Sequence, residues 1–529
     1  MTISGSYETM LSHMKNQGIP SDVRTQQLDP RRWVVLAILA GSLLLIAMDT
    51  TILNVAFPSL VADLQPSSVQ QLWIIDAYAL ALSGLLVTAG ALGDRWGRKK
   101  LLLVGFGIFA FASLGAAFAT EAWQVIAARA LLGVGGAAIM PSTLSILRSV
   151  FSDPRERALA YAIWAAVFGG GMAVGPIIGG VLVENQGWEA AFLVNIPVAL
   201  AVIGFGAWLI PESRKPRAGK WDWPGVGQSI VGMLALAGGI KQLGKGGLTD
   251  PVAWTLLIVA VVSLTVFIRR QLRISYPLLQ VRLFANRSFS IAAASIFLAM
   301  IAMGSVLFLI TQWFQYAEGF SPLEAGVRLL PAPIALILTS ILTPNLMHRF
   351  AIRHVLGSGL LFMAIGLALP WFIDHSGSIS YMEIAVALGF LGAGAGVATT
   401  VASVTLMAAT PSKDVGGAAA IEETCYELGA AMGVAMLGSL AAALYRTELP
   451  DLGSGPVADS VRDSIGEAAH VAGELGGAAG AKLLATAGEA FTAGMTPTFL
   501  IAALLPLAAA VLAWTKIPKD LRPTEDAEH

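Results

Sequence analysis

The sequence predicts an all-α polytopic membrane protein with fourteen spanning helices. Of its 529 residues, 56% are hydrophobic and only 13% are charged, whereas a soluble domain carries about 25% charged residues. Apolar runs of spanning length recur along the whole chain, and a spanning helix needs about 20 such residues. A chain this apolar cannot cover its own surface in water, so we expect lipid to be its solvent.

Each apolar run is expected to form one spanning helix. In chain order the runs are 33–57, 71–92, 101–119, 122–146, 158–183, 189–210, 225–243, 252–270, 288–316, 323–346, 354–373, 381–408, 415–445 and 495–515. The pattern is weakest at 225–243 and at the division between 101–119 and 122–146. The segment before the first run is polar, so it is not expected to be a cleaved signal peptide.

The basic residues lie mostly on one side of this helix map, as they do in the cytoplasmic loops of membrane proteins. With the N-terminus inside, most of the 33 Lys and Arg residues fall in inner segments. We therefore expect an inner-membrane protein with both termini in the cytoplasm. The net charge of −1 indicates no nucleic-acid partner, and the single cysteine, Cys425, excludes a disulfide framework or a Cys-rich metal site.

A weak internal repeat divides the chain. The loops 93–100 and 347–354 join equivalent helices with a similar order of arginine and aromatic residues, and duplicated halves are common in transporters. The expected parts are a cytoplasmic tail at 1–30, a six-helix half at 31–210, a linker with two extra spanning helices at 211–287, a six-helix half at 288–515 and a cytoplasmic tail at 516–529.

One outer loop, 446–494, is long. Apolar residues recur in it at helical spacing from Val461 to Leu475, the glycines Gly476 and Gly477 interrupt the pattern, and it resumes up to Phe491. We predict a hairpin of two short amphipathic helices. This hairpin is either a lid over the outer vestibule or a flexible surface loop.

Carboxyl groups inside the predicted spans are the main functional candidates. A charge at the bilayer centre costs roughly 2.5–3.5 kcal/mol on insertion scales, so these groups should face the protein interior. The candidates are Asp49, Asp76, Glu422, Glu423 and Glu427. The helical rise of about 1.5 Å per residue places Asp49 and Asp76 at the level of Arg129, in the outer half of the membrane. Glu423 and Glu427 are four residues apart and share a helix face.

These acids suggest an exchange of protons for cations. Burial of a carboxyl group favours its neutral form, and such a group can hold a proton or attract a cation, but not both at once. The alternative is structural, with the acids pairing with Arg129 or capping helices. Glu422 suits that alternative because it points to the face of Gly429 and Gly433, a small-residue pair typical of close helix packing.

Aromatic side chains could supply walls for a cation, because quaternary ammonium groups bind aromatic faces. The candidates are Trp73, Tyr78, Trp164, Trp313, Phe314 and Tyr426. Membrane helices also use aromatic residues for packing and as interface anchors, so both interpretations stay open. The sequence shows no metal-ligand spacing, phosphate loop or nucleophile with a base, so we expect neither a metal, a cofactor nor an enzyme.

Several segments resemble the major facilitator superfamily, and in particular its fourteen-helix drug:proton antiporters. They are 49–58 (DTTILNVAFP), 90–100 (GALGDRWGRKK), 129–137 (RALLGVGGA), 171–180 (GMAVGPIIGG) and 188–197 (WEAAFLVNIP). Two further segments, 70–80 (QQLWIIDAYAL) and 418–429 (AAAIEETCYELG), are similar to quaternary-ammonium and methyl-viologen efflux pumps.

This resemblance implies two six-helix halves with two inserted helices, and proton-coupled export of quaternary ammonium biocides, dyes and viologens. It also implies conformational roles for Gly90, Asp94, Arg95, Gly97, Arg98, Gly171, Gly175, Pro176 and Gly179. The expected partners are small lipophilic cations, protons and the lipid bilayer, with the protein as a monomer. A proton-coupled uptake permease for a small metabolite is the alternative, but the buried acids and the helix-five glycines favour export.

Overall fold

The computed structural model describes residues 31–518, except 67, 214–221, 248, 276, 375–378 and 412–413. The predicted tail at 1–30 lies outside the described residues, and so does the predicted tail at 516–529 except for its first three residues. Throughout the described part the regular structure is helical, with no β-strand. The predicted all-α fold class is confirmed.

Eighteen α-helices follow one another along the described chain. They are α1 (Arg32–Leu64), α2 (Ser68–Trp96), α3 (Arg98–Ala117), α4 (Ala122–Val150), α5 (Pro154–Gln186), α6 (Ala190–Leu193), α7 (Asn195–Leu209), α8 (Trp223–Gly246), α9 (Pro251–Arg273), α10 (Arg287–Gln312), α11 (Pro322–Arg328), α12 (Pro331–Arg349), α13 (Ile352–Asp374), α14 (Tyr381–Ala408), α15 (Val415–Glu448), α16 (Pro456–Asp463), α17 (Ile465–Leu475) and α18 (Gly477–Lys516).

Within the described ranges, 13 helices are long and apolar enough to cross a membrane, or 14 when the two parts of α2, which meet at 55°, count as one span. Each predicted run corresponds to one of these spans. Some spans contain a local interruption: α10 continues as a π-helical turn, Trp313–Ala317, and the tenth run divides into α11 and α12 just before Pro331.

The same pattern of helix contacts occurs twice. In the first half α1 packs on α4, α5 and α7, while α3 and α4 pack on each other and α2 packs on α4. In the second half the equivalent contacts join α10 to α14, α15 and α18, α13 to α14, and α12 to α14. This repetition agrees with the predicted duplication, although the residue boundaries of the halves remain a prediction.

Several helix pairs join the halves, and two of them form the largest contacts. Helix α5 packs against α12, and α2 packs against α15. The inserted helix α8 lies outside this four-helix interface, against α2 and α15, and α9 packs mainly on α8. The inserted pair is therefore peripheral to the interface between the halves.

The predicted outer hairpin is only partly correct. Its first arm is broken at Ser464, whose hydroxyl accepts a hydrogen bond from the Glu467 amide at 3.2 Å and so caps α17. Its second arm is not a separate helix, because α18 runs without a break through the last span for 40 residues. The turn between the arms is where the sequence places it, since Gly476 and Gly477 have φ values of 59° and 54° that favour glycine.

Candidate functional site

Asp49 is the centre of a buried polar cluster between α1, α4 and α7. Its Oδ2 accepts a hydrogen bond from Arg129 Nη1 at 2.8 Å, and its Oδ1 accepts one from Asn195 Nδ2 at 2.7 Å. Asn195 also donates to Ser113 Oγ at 3.2 Å. Both Asp49 and Arg129 are 3% exposed, so this carboxylate is neutralised inside the first half rather than open to a cation.

Arg129 is held by three groups at once. Besides its ion pair with Asp49, its Nε donates to the Ile74 carbonyl at 3.3 Å and its guanidinium lies 4.6 Å from the centre of the Tyr78 ring. A cation this close to an aromatic face is attracted by the ring quadrupole. Tyr78 is buried, and its hydroxyl has no hydrogen-bond partner among the described residues.

Tyr78 connects this cluster to the other half. Helix α2, which carries it, packs on α15, and Glu423 and Glu427 of α15 lie within electrostatic range of Tyr78. Glu423 is 1% exposed and its Oε1 is buried without a partner in the described part of the chain. Glu427 is half-buried, and no described side chain forms a hydrogen bond or ion pair with it. Within the described part of the chain, neither carboxyl group therefore has a compensating cation.

Glu422 lies in a different environment from its neighbours. Its Oε1 accepts a hydrogen bond from the Ser403 hydroxyl of α14, while its Oε2 is buried with no partner among the described groups. Ser403 Oγ is also 3.4 Å from the Tyr426 hydroxyl. Gly429 and Gly433, one and two turns on from Tyr426, pack against α10. Glu422 thus has its hydrogen-bond partner within the second half, whereas Glu423 and Glu427 are the glutamates near Tyr78 of the first half.

The predicted aromatic walls are not brought together. Tyr78 and Tyr426 lie beside the acids, but the Trp164 indole donates to Thr143 at 3.4 Å and Trp73 is half-exposed. Trp313 is thirteen residues beyond Met300, the residue that packs on Gly429, so it lies roughly 20 Å along α10 from the glutamates.

Trp313 and Phe314 instead form part of a separate aromatic group. The Trp313 indole donates to Thr492 at 3.0 Å, and the Phe314 ring lies 5.9 Å from that of Phe320 and 6.2 Å from that of Tyr381. Asp76 lies on α2, but its side chain is outside the described part of the structure.

The segment 90–100 forms a tight corner between α2 and α3. Gly97 has φ 112°, and a side chain there would collide with the Glu212 carboxylate. Arg98 donates to Asp94 Oδ1 at 2.9 Å and to the Ser145 carbonyl of α4 at 3.1 Å. Gly90 is buried, while Arg95 is exposed at the end of α2. The corner is therefore tied to α4 in this conformation, and the predicted switching role of Asp94 remains a prediction.

The glycines of helix α5 pack on the helix that carries Asp49. A Cβ at Gly175 would contact the Thr51 hydroxyl and lie 3.2 Å from the Met48 carbonyl, and one at Gly171 would lie 2.7 Å from Ala47 Cβ. Gly179 lies against Ile52 in the same way. These three glycines form a stripe along α5 that lets α1 and α5 approach closely, as small residues do between membrane helices.

Replacing Gly175 by alanine is expected to lower the thermal stability of the protein, because overpacking a tight contact costs typically 1–3 kcal/mol. The measurement is the unfolding temperature of the purified protein in detergent. The matched control is Gly107→Ala in α3, where an added Cβ meets nothing within 4 Å. That variant should be neutral or stabilised, since alanine favours helix over glycine by about 1 kcal/mol. Equal stability of the two variants would contradict this interpretation of the stripe.

The adjacent side of α5, about 100° around the helix, meets the second half. A Cβ at Gly326 would lie 2.9 Å from Pro176 Cβ, and one at Gly180 would lie 3.4 Å from Leu323 Cβ. At the other end of the bundle, Arg148 of α4 donates to the Met407 carbonyl of α14 at 2.9 Å. The two halves therefore touch at both ends in this conformation.

Two site residues were not predicted. Asn195 lies within 188–197, a segment singled out only for its resemblance, and Ser403 is one of several hydroxyl residues in a mainly apolar run. A lone amide or hydroxyl in a spanning helix was the available signal, but small polar residues in such helices often bond their own backbone. Among the described residues there is no group of three or more His, Cys, Asp or Glu that could hold a metal ion.

Comparison with known proteins gives one family match, two similar relatives and one similar structure. The Major Facilitator Superfamily model matches residues 39–283. The multidrug efflux pump LfrA of Mycolicibacterium smegmatis is 41% identical over 94% of this chain and 98% of its own length. The methyl viologen resistance protein SmvA of Salmonella typhimurium is 36% identical over 93% of this chain and 99% of its own. In fold, the chain is similar to the human organic anion transporter MFSD10 (TETRAN), with a TM-score of 0.60 at 14% identity, covering 92% of this chain and 100% of that one.

Proposed function

Because this chain belongs to the major facilitator superfamily of membrane transporters, we propose that it exports lipophilic cations from the cytoplasm in exchange for protons. Two of its relatives are named as a multidrug efflux pump and a methyl viologen resistance protein. Quaternary ammonium compounds, dyes and viologens are the proposed substrates. The proposed orientation has both termini in the cytoplasm, and the proposed transporting unit is a monomer.

The observation that carries this proposal is the pair Glu423 and Glu427. These carboxyl groups lie on the face of α15 toward the first half, and no described cationic side chain pairs with either. By contrast, the Asp49 carboxylate already has Arg129 and Asn195 as partners. An uncompensated carboxyl in a membrane helix is costly unless it is protonated or meets a cation. The two glutamates therefore suit a site that holds either a proton or a substrate cation.

Exchange of protons for cations follows because the carboxyl groups bind only one of the two at a time. A bound cation stabilises the ionised carboxylate and so expels its proton, while protonation removes the negative charge and releases the cation. The proton gradient supplies about 1.4 kcal/mol per pH unit for each proton. Each net charge moved adds about 2.3 kcal/mol per 100 mV of membrane potential. Exchange of one proton for one monovalent cation moves no net charge and uses the pH gradient alone.

Alternating access would use the two contacts between the halves. The proposed outer seal is the contact of Pro176 with Gly326, and the proposed inner seal is the hydrogen bond from Arg148 to the Met407 carbonyl. The inner bond joins a cation to the C-terminal end of α14, where the helix dipole favours positive charge. Opening one seal while the other stays closed would expose Glu423 and Glu427 to one side at a time.

The proposal is tested in everted membrane vesicles with a fluorescent lipophilic cation. We expect dye to accumulate when the vesicle interior is acidified, and to leave when an ionophore collapses the pH gradient. Vesicles with Glu448→Gln, a change at the exposed end of α15, should behave like the wild type. Accumulation that persists after both the pH gradient and the voltage are removed would exclude proton exchange.

A further inference from the structure

The inserted helix α9 carries a basic face that the transport site does not use. Val266, Arg269, Arg270 and Arg273 follow one another at helical spacing of three and four residues, so they share one side of the helix. The helix is only 17% buried over its spanning window, and most of its surface is therefore available to lipid.

This face borders a cavity between α8 and α9. The cavity has a volume of about 320 Å³ and is lined by Gln228, Val266, Arg269, Arg270, Arg273 and Ile274. That volume is at the lower end of the range for small-ligand sites, which is about 300–1,000 Å³. The lining combines three arginine side chains and one glutamine with two aliphatic side chains, so its charge favours an anion that also carries an apolar part.

Arg270 is fixed in place by the other inserted helix. Its Nε donates to Asp222 Oδ1 at 2.8 Å, and Gln271 Nε2 donates to Asp222 Oδ2 at 2.9 Å. Arg269 and Arg273 have no hydrogen bond or ion pair with any other described residue. One negative charge therefore faces three positive ones, and the cavity keeps a positive excess.

Gln228 adds a neutral polar group on the α8 side. Its Oε1 is buried and has no partner among the described residues. A buried acceptor without a donor is costly, so a ligand that carries a hydroxyl group beside its negative charge would suit this cavity.

The arginines lie where lipid headgroups lie. The uncharged stretch of α9 from Val252 to Ile268 spans roughly 26 Å, close to the thickness of a hydrocarbon core of about 30 Å. Above the cavity, Ile258, Val262 and Val266 are 61%, 58% and 46% exposed and stand four residues apart, so they form an apolar track along the helix. An acyl chain could lie on this track with its phosphate at the arginines.

We propose that the cavity between α8 and α9 binds the phosphodiester headgroup of an anionic glycerophospholipid, such as phosphatidylglycerol. Arg269, Arg270 and Arg273 contact the phosphate, Gln228 accepts a hydrogen bond from the headgroup hydroxyl, and the exposed track supports an acyl chain. Basic pockets between helices at this membrane level bind acidic headgroups in other proteins. Arginines that served only to orient the helix would bind no lipid in preference to another.

The test is native mass spectrometry of the purified full chain in detergent, titrated separately with phosphatidylglycerol, phosphatidylethanolamine and inorganic phosphate. The variant R269Q/R273Q removes two charges and keeps the ion pair between Arg270 and Asp222. At about 1 kcal/mol for each arginine, its apparent Kd for phosphatidylglycerol should rise roughly 30-fold. Each single variant should raise it roughly fivefold, which gives a second measurement if the double variant does not fold.

The matched control is R287Q/R349Q, which removes two exposed arginines from helix ends outside the cavity lining. Its Kd for phosphatidylglycerol should stay within about threefold of that of the wild type, which is less than 1 kcal/mol. Equal losses in R287Q/R349Q and R269Q/R273Q would show a general effect of charge and overturn the proposal. Wild-type binding of phosphatidylethanolamine or of inorganic phosphate as strong as that of phosphatidylglycerol would overturn it as well.

Discussion

Replacing both Glu423 and Glu427 by glutamine is expected to abolish cation export while the protein still folds. Glutamine keeps the volume of the side chain but cannot carry the negative charge. A charge pair at about 4 Å is worth roughly 4 kcal/mol at an effective dielectric constant of about 20, which is about three orders of magnitude in affinity. Neither carboxyl has a cationic partner among the described residues, so their removal breaks no ion pair in that part of the chain.

The measurement is export of a fluorescent cation from cells or into everted vesicles, with protein amount checked in the membrane. The variant Glu448→Gln makes the same chemical change on the exposed end of α15 and should leave export intact. Each single variant, Glu423→Gln or Glu427→Gln, should raise the KM at least tenfold. Normal export by the double variant would remove these two residues from the site.

Replacing Arg129 by methionine is expected to destabilise the protein strongly, because it leaves the Asp49 carboxylate buried with Asn195 as its remaining partner. Breaking a buried ion pair in this way costs about 3–5 kcal/mol. The double variant D49N/R129M should regain most of this loss, since removing both charges of a buried pair is often close to neutral. Thermal unfolding of the purified protein in detergent measures both effects.

The comparison of single and double variants separates this expectation from a simple packing loss. If Asp49 and Arg129 stabilise the protein only as a pair, D49N and R129M should each unfold at a lower temperature than D49N/R129M. A double variant that is less stable than either single variant would mean that the side chains act independently. The conservative variant R129K should have a thermal stability between those of the wild type and R129M. Lysine keeps the charge but cannot reproduce the contacts to Asp49, Ile74 and Tyr78 together.

The spans could be predicted from sequence because their signal is local. Apolar runs of spanning length predict α1 to α5 and the later spanning helices, and their identity does not depend on distant contacts. The outer hairpin was predicted less well because a local signal does not show where a helix ends. Helical spacing from Leu484 to Phe491 shows that a helix forms, but not that it continues through Pro497 into the last span.

The chemistry of each buried acid could not be predicted, because it depends on partners far away in the chain. Asp49 and Glu423 both lie in apolar helices, and the sequence leaves open whether either one pairs with Arg129. Only the fold shows that Asp49 meets Arg129, 80 residues away, and Asn195, 146 residues away. The predicted helical faces of Glu422 and Glu423 do agree with the structure, since adjacent positions on a helix point about 100° apart.

The central claim is that a proton and a cation compete for Glu423 and Glu427. The most direct measurement is proton release when the purified protein binds a lipophilic cation in weakly buffered solution. We expect the wild type to release about one proton for each cation bound, with cation affinity falling as the pH is lowered. The E423Q/E427Q variant should release none. Tight cation binding by the wild type with no change in bound protons would contradict the account.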